Sequence, residues 1–444
     1  MSLLPSADTE GPGLKGGVAP VPPARILFIE NSIGVSGSTI SLCTLLRRLG
    51  RGRYEPSVVF SRAAQHECLL GSGAPPTDAK VILWRNGLKS TRRGRAFYKM
   101  ALRRARPVRQ LLTGLLAALD LVLVVVPYTL RLYWLARGRG VALVHHNNGV
   151  EPRSVLLARL LGVPLVVYQR GDEWHSRTAR ILAQMVTLYV ANSEATKQNL
   201  VELGVASSRI RVVYPPVDLE RFDPGVEAAR QGVEFGVRAG QPCFGIFGTL
   251  LPWKGHRVFL KAARRVMDQI PNARAFVIGE VPQRDQAYRE ELKRLAEELG
   301  IAERVVFTGF REDIPELMQL LRVVVHASVV PEPFGRVIAE AMAMGKPVVA
   351  TAAGGPLEII EDGWSGYLVP PDQDEAMAER IVHLLSDAAH ADRMGHRARE
   401  VVEARFSAEA HARLIEGVYD EVLARPTRSR INSEVMPCEG HDAS

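Results

Sequence analysis

A chain of 444 residues is too long for one ordinary core and suits two domains of roughly 200 residues each. Hydrophobic residues make up 47% and charged residues 23%, a globular composition that excludes general disorder, a collagen-like chain and a multi-span membrane protein. The net charge of +8 is local: residues 85–139 hold thirteen Lys and Arg against one acid, Asp120, so this window is +12 and the remainder is net acidic. That disfavours a general nucleic-acid surface and points to one basic anchoring region.

Residues 1–23 read as a disordered tail, rich in Pro and Gly and without the basic-then-apolar order of a signal peptide. From Arg25, short apolar runs alternate with amphipathic stretches. RILFIE, SVVF, KVILW, ALVHH, LVVYQR, LYVANS and IRVVYP read as strands, with TISLCTLLRRLG and SEATKQNLVELG as helices between them. Near-continuous apolar strands indicate a parallel sheet buried on both faces, and alternating βα units a doubly wound domain over 24–215. Adjacent side chains on a strand point oppositely, so of His145 and His146 only one is expected to face a ligand; His145 and Asn147 are the acceptor-side candidates.

KVILW and ALVHH are separated by far more residues than one crossover needs, and the excess, 85–140, reads as an insertion. Asp120 and Pro127 interrupt its apolar run, whose longest uncharged stretch is 121–130, short of the ~20 residues that span a bilayer. Dense Arg beside Leu, Tyr128, Tyr133 and Trp134 suits a helix lying in an anionic membrane interface. The plainer alternative is a helix pair packed on the sheet beneath a solvated basic loop.

Pro215, Pro216 and Pro224 then punctuate the chain, and polar 225–241 reads as the linker. CFGIFG, ARAFVIG, RVVFTGF, RVVVHAS, KPVVAT and GYLVP mark a second α/β domain over 216–424, which includes a final helix near 407–424; a polar tail fills 425–444. Two such halves face each other across a deep cleft between the carboxyl ends of two sheets, where ligands of open α/β sheets bind. Cys43, Cys68, Cys243 and Cys438 are far apart without a CxxC pair, which fits a reducing cytosol and excludes a cysteine-based zinc site. No metal or cofactor is expected.

Chemistry concentrates in the second half. Lys254 and Gly255 fall where a helix begins, and a lysine beside free helix amides suits a diphosphate; a solvated loop lysine is the plainer reading. In HASVVPEPFGRVIAEAMAMGKPVVAT, Glu332 sits in a Pro-bounded loop, and Gly335 opens a helix that carries Glu340. The loop amides suit an anion, and both carboxylates can accept bonds from sugar hydroxyls.

These pieces, GTLLPWKGHRVFLKAA, VVFTGFREDIPELM and EPFGRVIAEAMAMGKPVVATAAGGPLEII, together with ANSEATKQNLVELG and IRVVYPPVDLERF, resemble the retaining glycosyltransferases of family 4, which have the GT-B fold of two Rossmann-like domains. The resemblance covers nearly all of 24–424 and is strongest over 242–370. It implies that Lys254 contacts the diphosphate of a nucleotide-sugar donor, Glu340 the ribose hydroxyls, and Glu332 the donor sugar near its reacting carbon. The backbone of Phe334, Gly335, Arg336 and Val337 meets phosphate and sugar, Arg311 lies beside the nucleobase, and Gly37 approaches the diphosphate from the opposite domain. Where the family usually carries an arginine, this chain has Thr249. Where it often has a histidine near the reacting sugar, Arg170 stands, read either as facing phosphate or acceptor or as a structural partner of Asp172.

The expectation is a retaining glycosyltransferase of polysaccharide biosynthesis, peripheral at the cytoplasmic membrane face, with a lipid-linked or envelope glycan as acceptor. A catalytically silent sugar-nucleotide-binding partner and a sugar-nucleotide epimerase of related fold are the alternatives. The E-x7-E segment and the FTGF turn argue against the epimerase.

Overall fold

The computed structural model describes residues 22–32, 36–71, 78–81, 100, 106–171, 177–282 and 285–425. The terminal tails read from sequence fall almost wholly outside these residues. So do most of the basic stretch of the insertion, and Asp172 and His175.

Two wholly parallel sheets carry the fold. In the first, β1 (Ala24–Glu30), β2 (Tyr54–Phe60), β3 (Asp78–Val81), β4 (Val141–His146), β5 (Leu165–Gln169), β6 (Leu188–Ala191) and β7 (Ile210–Val212) lie in the order β3-β2-β1-β4-β5-β6-β7. In the second, β8 (Cys243–Phe247), β9 (Arg274–Ile278), β10 (Val305–Gly309), β11 (Val323–His326), β12 (Val348–Thr351) and β13 (Tyr367–Val369) lie in the order β10-β9-β8-β11-β12-β13. Each order reverses beside its first strand, between β1 and β4 and between β8 and β11. At such a switch the crossovers leave to opposite faces and open a crevice at the strands' carboxyl ends. The apolar runs are buried because helices cover both faces, which divides each domain into two core layers.

Two elements depart from the sequence expectation. The final helix, Ala408–Leu423, was grouped with the second domain; it packs on the first. Ile415, Val418, Tyr419 and Val422 join the core of Phe28, Leu42 and Tyr168. Polar groups fasten it there: the Arg211 guanidinium donates to both Glu421 oxygens, at 2.7 and 3.0 Å, and the Gly50 N–H to Glu416 at 2.7 Å. Nothing in a helix's own periodicity says which neighbour receives its apolar face.

The second is the insertion, where Asp120 and Pro127 do not break the helix. Helices Arg106–Asp120 and Val126–Ala136 are joined by a π-helical turn, Leu121–Val125. Pro127 sits in the first turn after it, where its missing N–H costs least. Thr129 Oγ1 donates to the Val125 carbonyl at 2.8 Å. The helical stretch Leu111–Ala136 is, by length and composition, long and apolar enough to cross a membrane. Tyr128, Leu132 and Ala136 pack into the first domain's core. On the opposite side Val122 is 62% and Trp134 66% exposed.

Candidate functional site

At the carboxyl ends of the two sheets lie two hollows, of about 800 and 450 Å3. Gly37, Glu332 and Arg336 line both, so the hollows are two halves of one cleft. Asn31, Ser32, Asn148, Glu151, Arg170 and Asn192 bring the first domain's strand ends to the larger half. The smaller half belongs mostly to the second domain, with Thr249, Lys254, Glu280, Arg311, Val337 and Glu340.

Lys254 ends a short turn, Pro252–Lys254, that runs into the helix His256–Gln269 through Gly255. Gly255 has φ 74°, and a Cβ there would lie 1.7 Å from the Ala327 carbonyl oxygen. Only glycine lets this turn press against the end of β11, and that press brings Lys254 to the loop holding Glu332. The Lys254 ammonium donates to both Glu332 oxygens, at 2.7 and 2.6 Å, and its Nζ lies 4.2 Å from the Trp253 ring centre. Ser328 Oγ donates to the same carboxylate at 2.9 Å, and His326 Nε2 lies 3.3 Å from it. Burial pushes the Glu332 carboxyl up, but the His326 bond and the Lys254 charge outweigh it and hold it at about 2. The carboxylate is therefore ionised throughout the neutral range. His326 and Ser328 were missed by sequence reasoning; both lie in the HASVVPE stretch, and the signal was their nearness to Glu332.

Gly335 has φ 97° and opens the helix Arg336–Ala343 as the E-x7-E segment suggested. Phe334 is buried against Tyr214 and Phe406, so it serves the site by anchoring its loop. Arg336 crosses the cleft: Nη1 donates to the Gly37 carbonyl at 2.7 Å, and Nη2 to Glu340 Oε1 at 2.7 Å. The Arg311 guanidinium is held by four bonds of 2.6–2.9 Å to Glu234 and Asp313. It lines the smaller hollow, but its hydrogen-bonding capacity is committed to those two carboxylates. Beside it Phe310, 73% exposed, lines the hollow, an aromatic that the sequence reading passed over.

On the first-domain side two candidates are displaced. His145 does not face the cleft: it is fully buried, accepts from or donates to the Tyr419 hydroxyl at 2.9 Å, and packs against Phe28. Burial, with Arg170 nearby, holds it neutral, well below the ordinary imidazole range. His146, on the other face, is buried as well and held at about 3. Alternation assigned the two rings to opposite faces, but helices cover both, so neither ring reaches the carboxyl edge. Asn147 lies behind the wall, 1% exposed. Its side chain donates to Glu30 and to the Ser38 carbonyl, and accepts from Arg170 Nη2 at 3.0 Å. Asn148, one residue further along, lines the hollow instead.

Arg170 does line the larger hollow. Its Nε donates to the Asn147 carbonyl at 3.0 Å, and its guanidinium lies 3.8 Å from the Tyr168 ring centre. Asp172, its suggested partner, lies outside the described residues. Glu30, fully buried at the end of β1, accepts from Ser32 N–H and Oγ at 2.9 and 2.5 Å and from Asn147. It shapes the loop edge below Gly37, and its burial could not be read from one strand-end acid. Among the described residues, no three His, Cys, Asp or Glu side chains gather as a metal site.

A family model described as Glycosyl transferases group 1 matches residues 231–401, and one described as Glycosyltransferase Family 4 matches 35–221. Among curated proteins, the D-inositol 3-phosphate glycosyltransferase of Mycolicibacterium smegmatis is 38% identical over 262 residues, 57% of this chain and 56% of that protein. The protein so named from Corynebacterium urealyticum is 32% identical over 285 residues, 62% of this chain and 65% of its own length. The chain thus spans less than two thirds of the length of these relatives. Among solved structures, Anabaena HepE in complex with UDP-glucose superimposes with a TM-score of 0.71 at 25% identity, covering 89% of this chain and 99% of that one. A glycosyltransferase from Rickettsia africae gives 0.73 at 21% identity over 91% and 100%, a likeness of fold.

Proposed function

The chain belongs to the family 4 glycosyltransferases, of the glycosyl transferases group 1, and on that premise we propose that it moves a sugar from a nucleotide-sugar donor, with retention of anomeric configuration, to a lipid-linked or envelope glycan at the cytoplasmic membrane face. The observation that carries this reading is the junction of the two hollows at Gly37, Glu332 and Arg336. A donor in the smaller hollow places its sugar where an acceptor from the larger one arrives. The Anabaena neighbour's complex with UDP-glucose supports a nucleotide-sugar donor.

In this reading the ion pairs of the cleft are exchanged when the donor binds. Sugar hydroxyls donate to Glu332, and the Lys254 ammonium turns part of its bonding to the diphosphate. Ribose hydroxyls donate to Glu340. As the sugar–phosphate bond breaks, charge grows on the leaving phosphate, and Lys254 with the amides that follow Gly335 stabilises it in a preorganised site. Val337 and Thr249 shape the donor wall. Arg170 fixes the strand-end loop of the acceptor half through Asn147.

The acceptor assignment rests on the insertion. A helix buried on one side and apolar on the other follows a strongly basic stretch, and anionic lipid attracts each nearby Lys or Arg by about 1 kcal/mol. Flotation with anionic and neutral vesicles tests it. The expected result is binding to anionic vesicles alone, weakened by salt and lost when Arg92, Arg93, Arg95, Arg103, Arg104 and Arg106 become Gln. Equal flotation of wild type and variant removes the membrane assignment.

Donor hydrolysis across UDP-, GDP-, ADP- and dTDP-sugars tests the enzyme itself. Nucleotide binding without sugar release identifies the silent partner instead. Transfer to free D-inositol 3-phosphate, with none to lipid-linked glycan, overturns the acceptor class. The anomeric proton coupling of the product reads retention directly.

A further inference from the structure

The side chains that line the donor hollow carry equal numbers of formal positive and negative charges. Lys254, Arg311 and Arg336 face Glu280, Glu332 and Glu340. A nucleoside diphosphate brings two or more negative charges into this partly desolvated space, which is unfavourable unless a cation turns to it. Position 249 offers only a hydroxyl. The existing cations differ in how firmly they are held. Arg311 is committed by four bonds to two carboxylates and lies over the Phe235 ring. Lys254 is shared by both oxygens of a buried carboxylate. Arg336 has the loosest hold: it donates to one carboxylate oxygen, on Glu340, and to one neutral carbonyl, on Gly37.

We propose that Arg336 is the second diphosphate-binding cation of this chain, released from Glu340 when ribose hydroxyls take over that carboxylate. The inference rests on the nucleotide-sugar reading above. Arg336 stands where the two hollows meet, at the point where the leaving phosphate parts from its sugar. It is held against the first domain so closely that a Cβ on Gly37 would lie 2.9 Å from Nη1. A short rotation carries the guanidinium from the Gly37 carbonyl into the donor half. There it replaces one hydrogen bond to a neutral acceptor by a forked bond to phosphate, the stronger kind. Ribose and diphosphate binding are thereby coupled through one side chain: a ligand that satisfies Glu340 frees the charge that its own phosphates require.

The test is calorimetric titration of wild type, Arg336→Gln and Arg336→Lys with UDP, GDP and ADP and with the matching monophosphates. Arg336→Gln is expected to lose about 10- to 100-fold in affinity for the preferred diphosphate. Its affinity for the monophosphate should change by no more than about twofold. Arg336→Lys, which keeps charge but not the fork, should fall between. Adding Thr249→Arg to Arg336→Gln should recover diphosphate affinity, because it returns a cation to the same hollow. Equal losses for diphosphate and monophosphate would make Arg336 an interdomain brace and overturn the proposal. So would an unchanged ratio. A wild type that binds none of the three diphosphates, nor dTDP, refutes the nucleotide-sugar reading itself, and the inference with it.

Discussion

Lys254→Met removes the ammonium from the centre of the cleft and keeps an apolar stem against Trp253. In the wild type the Glu332 carboxyl is held at about 2, and its side chain is 14% exposed. A glutamate so held, against about 4.3 in the unfolded chain, stabilises the folded state by about 3 kcal/mol at neutral pH. His326 and Ser328 remain in the variant, so the expected loss is about 2 kcal/mol at pH 7.5. The sign with pH is fixed by the direction of the shift. A depressed carboxyl contributes fully above its unfolded value and loses that contribution only as pH falls toward 2. Without its ammonium, Glu332 keeps its His326 and Ser328 partners but takes up a proton at higher pH than in the wild type, so the variant has less of this stabilisation to lose on acidification. The gap between wild type and variant should therefore narrow by about 0.8 kcal/mol between pH 7.5 and pH 3. Urea denaturation at the two pH values measures it. Donor titration at pH 7.5 should show a loss of about 1.5–3 kcal/mol in diphosphate binding. A stability gap identical at both pH values would mean that Lys254 does not hold the Glu332 charge. Unchanged donor affinity would remove Lys254 from the site.

Glu340→Ala should mainly raise the donor KM, since ribose contacts are alike in ground and transition states, whereas Glu332→Ala, nearer the reacting carbon, should mainly lower kcat; steady-state kinetics with both substrates varied separates them, and wild-type values for both would refute the assignment. The fold should also weaken in mild acid. Burial holds His146 and His411 at about 3 and His145 well below its ordinary range, so below about 6.5 the unfolded chain takes up protons that the folded one refuses. The expected loss is about 1 kcal/mol per histidine between pH 6.5 and 5.5, and a denaturation midpoint that stays flat across that interval would refute it.

The strands were legible because a parallel sheet covered on both faces needs unbroken apolar runs, and each run read from RILFIE to GYLVP became a strand. The Glu332–Glu340 segment was legible for another reason: its loop and helix are local, so spacing alone sets their geometry. Lys254 and Glu332 are 78 positions apart, and their pairing depends on Gly255, in one sequence window, pressing against Ala327, in another. His145 shows the limit of alternation. Period two names the face of a strand but not the height at which the covering helices end. Pro127 shows that a breaker is a breaker only within a regular i to i−4 ladder; one π-helical turn moves it to a first-turn position where it is tolerated. The site was therefore readable wherever one loop makes it, and unreadable wherever two distant segments meet.

That distinction bears on how the cleft works. The chain passes from Val213, in the first domain's core, to Val217, in the second's, and returns from Phe406 to Ala412. The two crossings lie side by side: Val217 N–H donates to the Phe406 carbonyl at 2.8 Å, and Val217 pairs with Ser407. The two crossings are the covalent links between the domains, and neither Val217 nor Ser407 belongs to a strand of either sheet. Away from these crossings the domains meet through polar contacts that can be exchanged. The Glu358 carboxylate accepts the Glu194 and Ala195 N–H groups at 2.8 and 3.0 Å, at the start of the helix Glu194–Glu202. Arg336 holds the Gly37 carbonyl. The Glu358 contact joins the helix Pro356–Ile359 to the start of the helix Glu194–Glu202 at the exposed surface. The Arg336 contact lies inside the cleft and shares its side chain with Glu340, which lines the donor half. One arginine thus joins the donor half to the first domain. A ligand that draws Arg336 toward phosphate would take it from the Gly37 carbonyl, so donor and interdomain contact compete for one guanidinium.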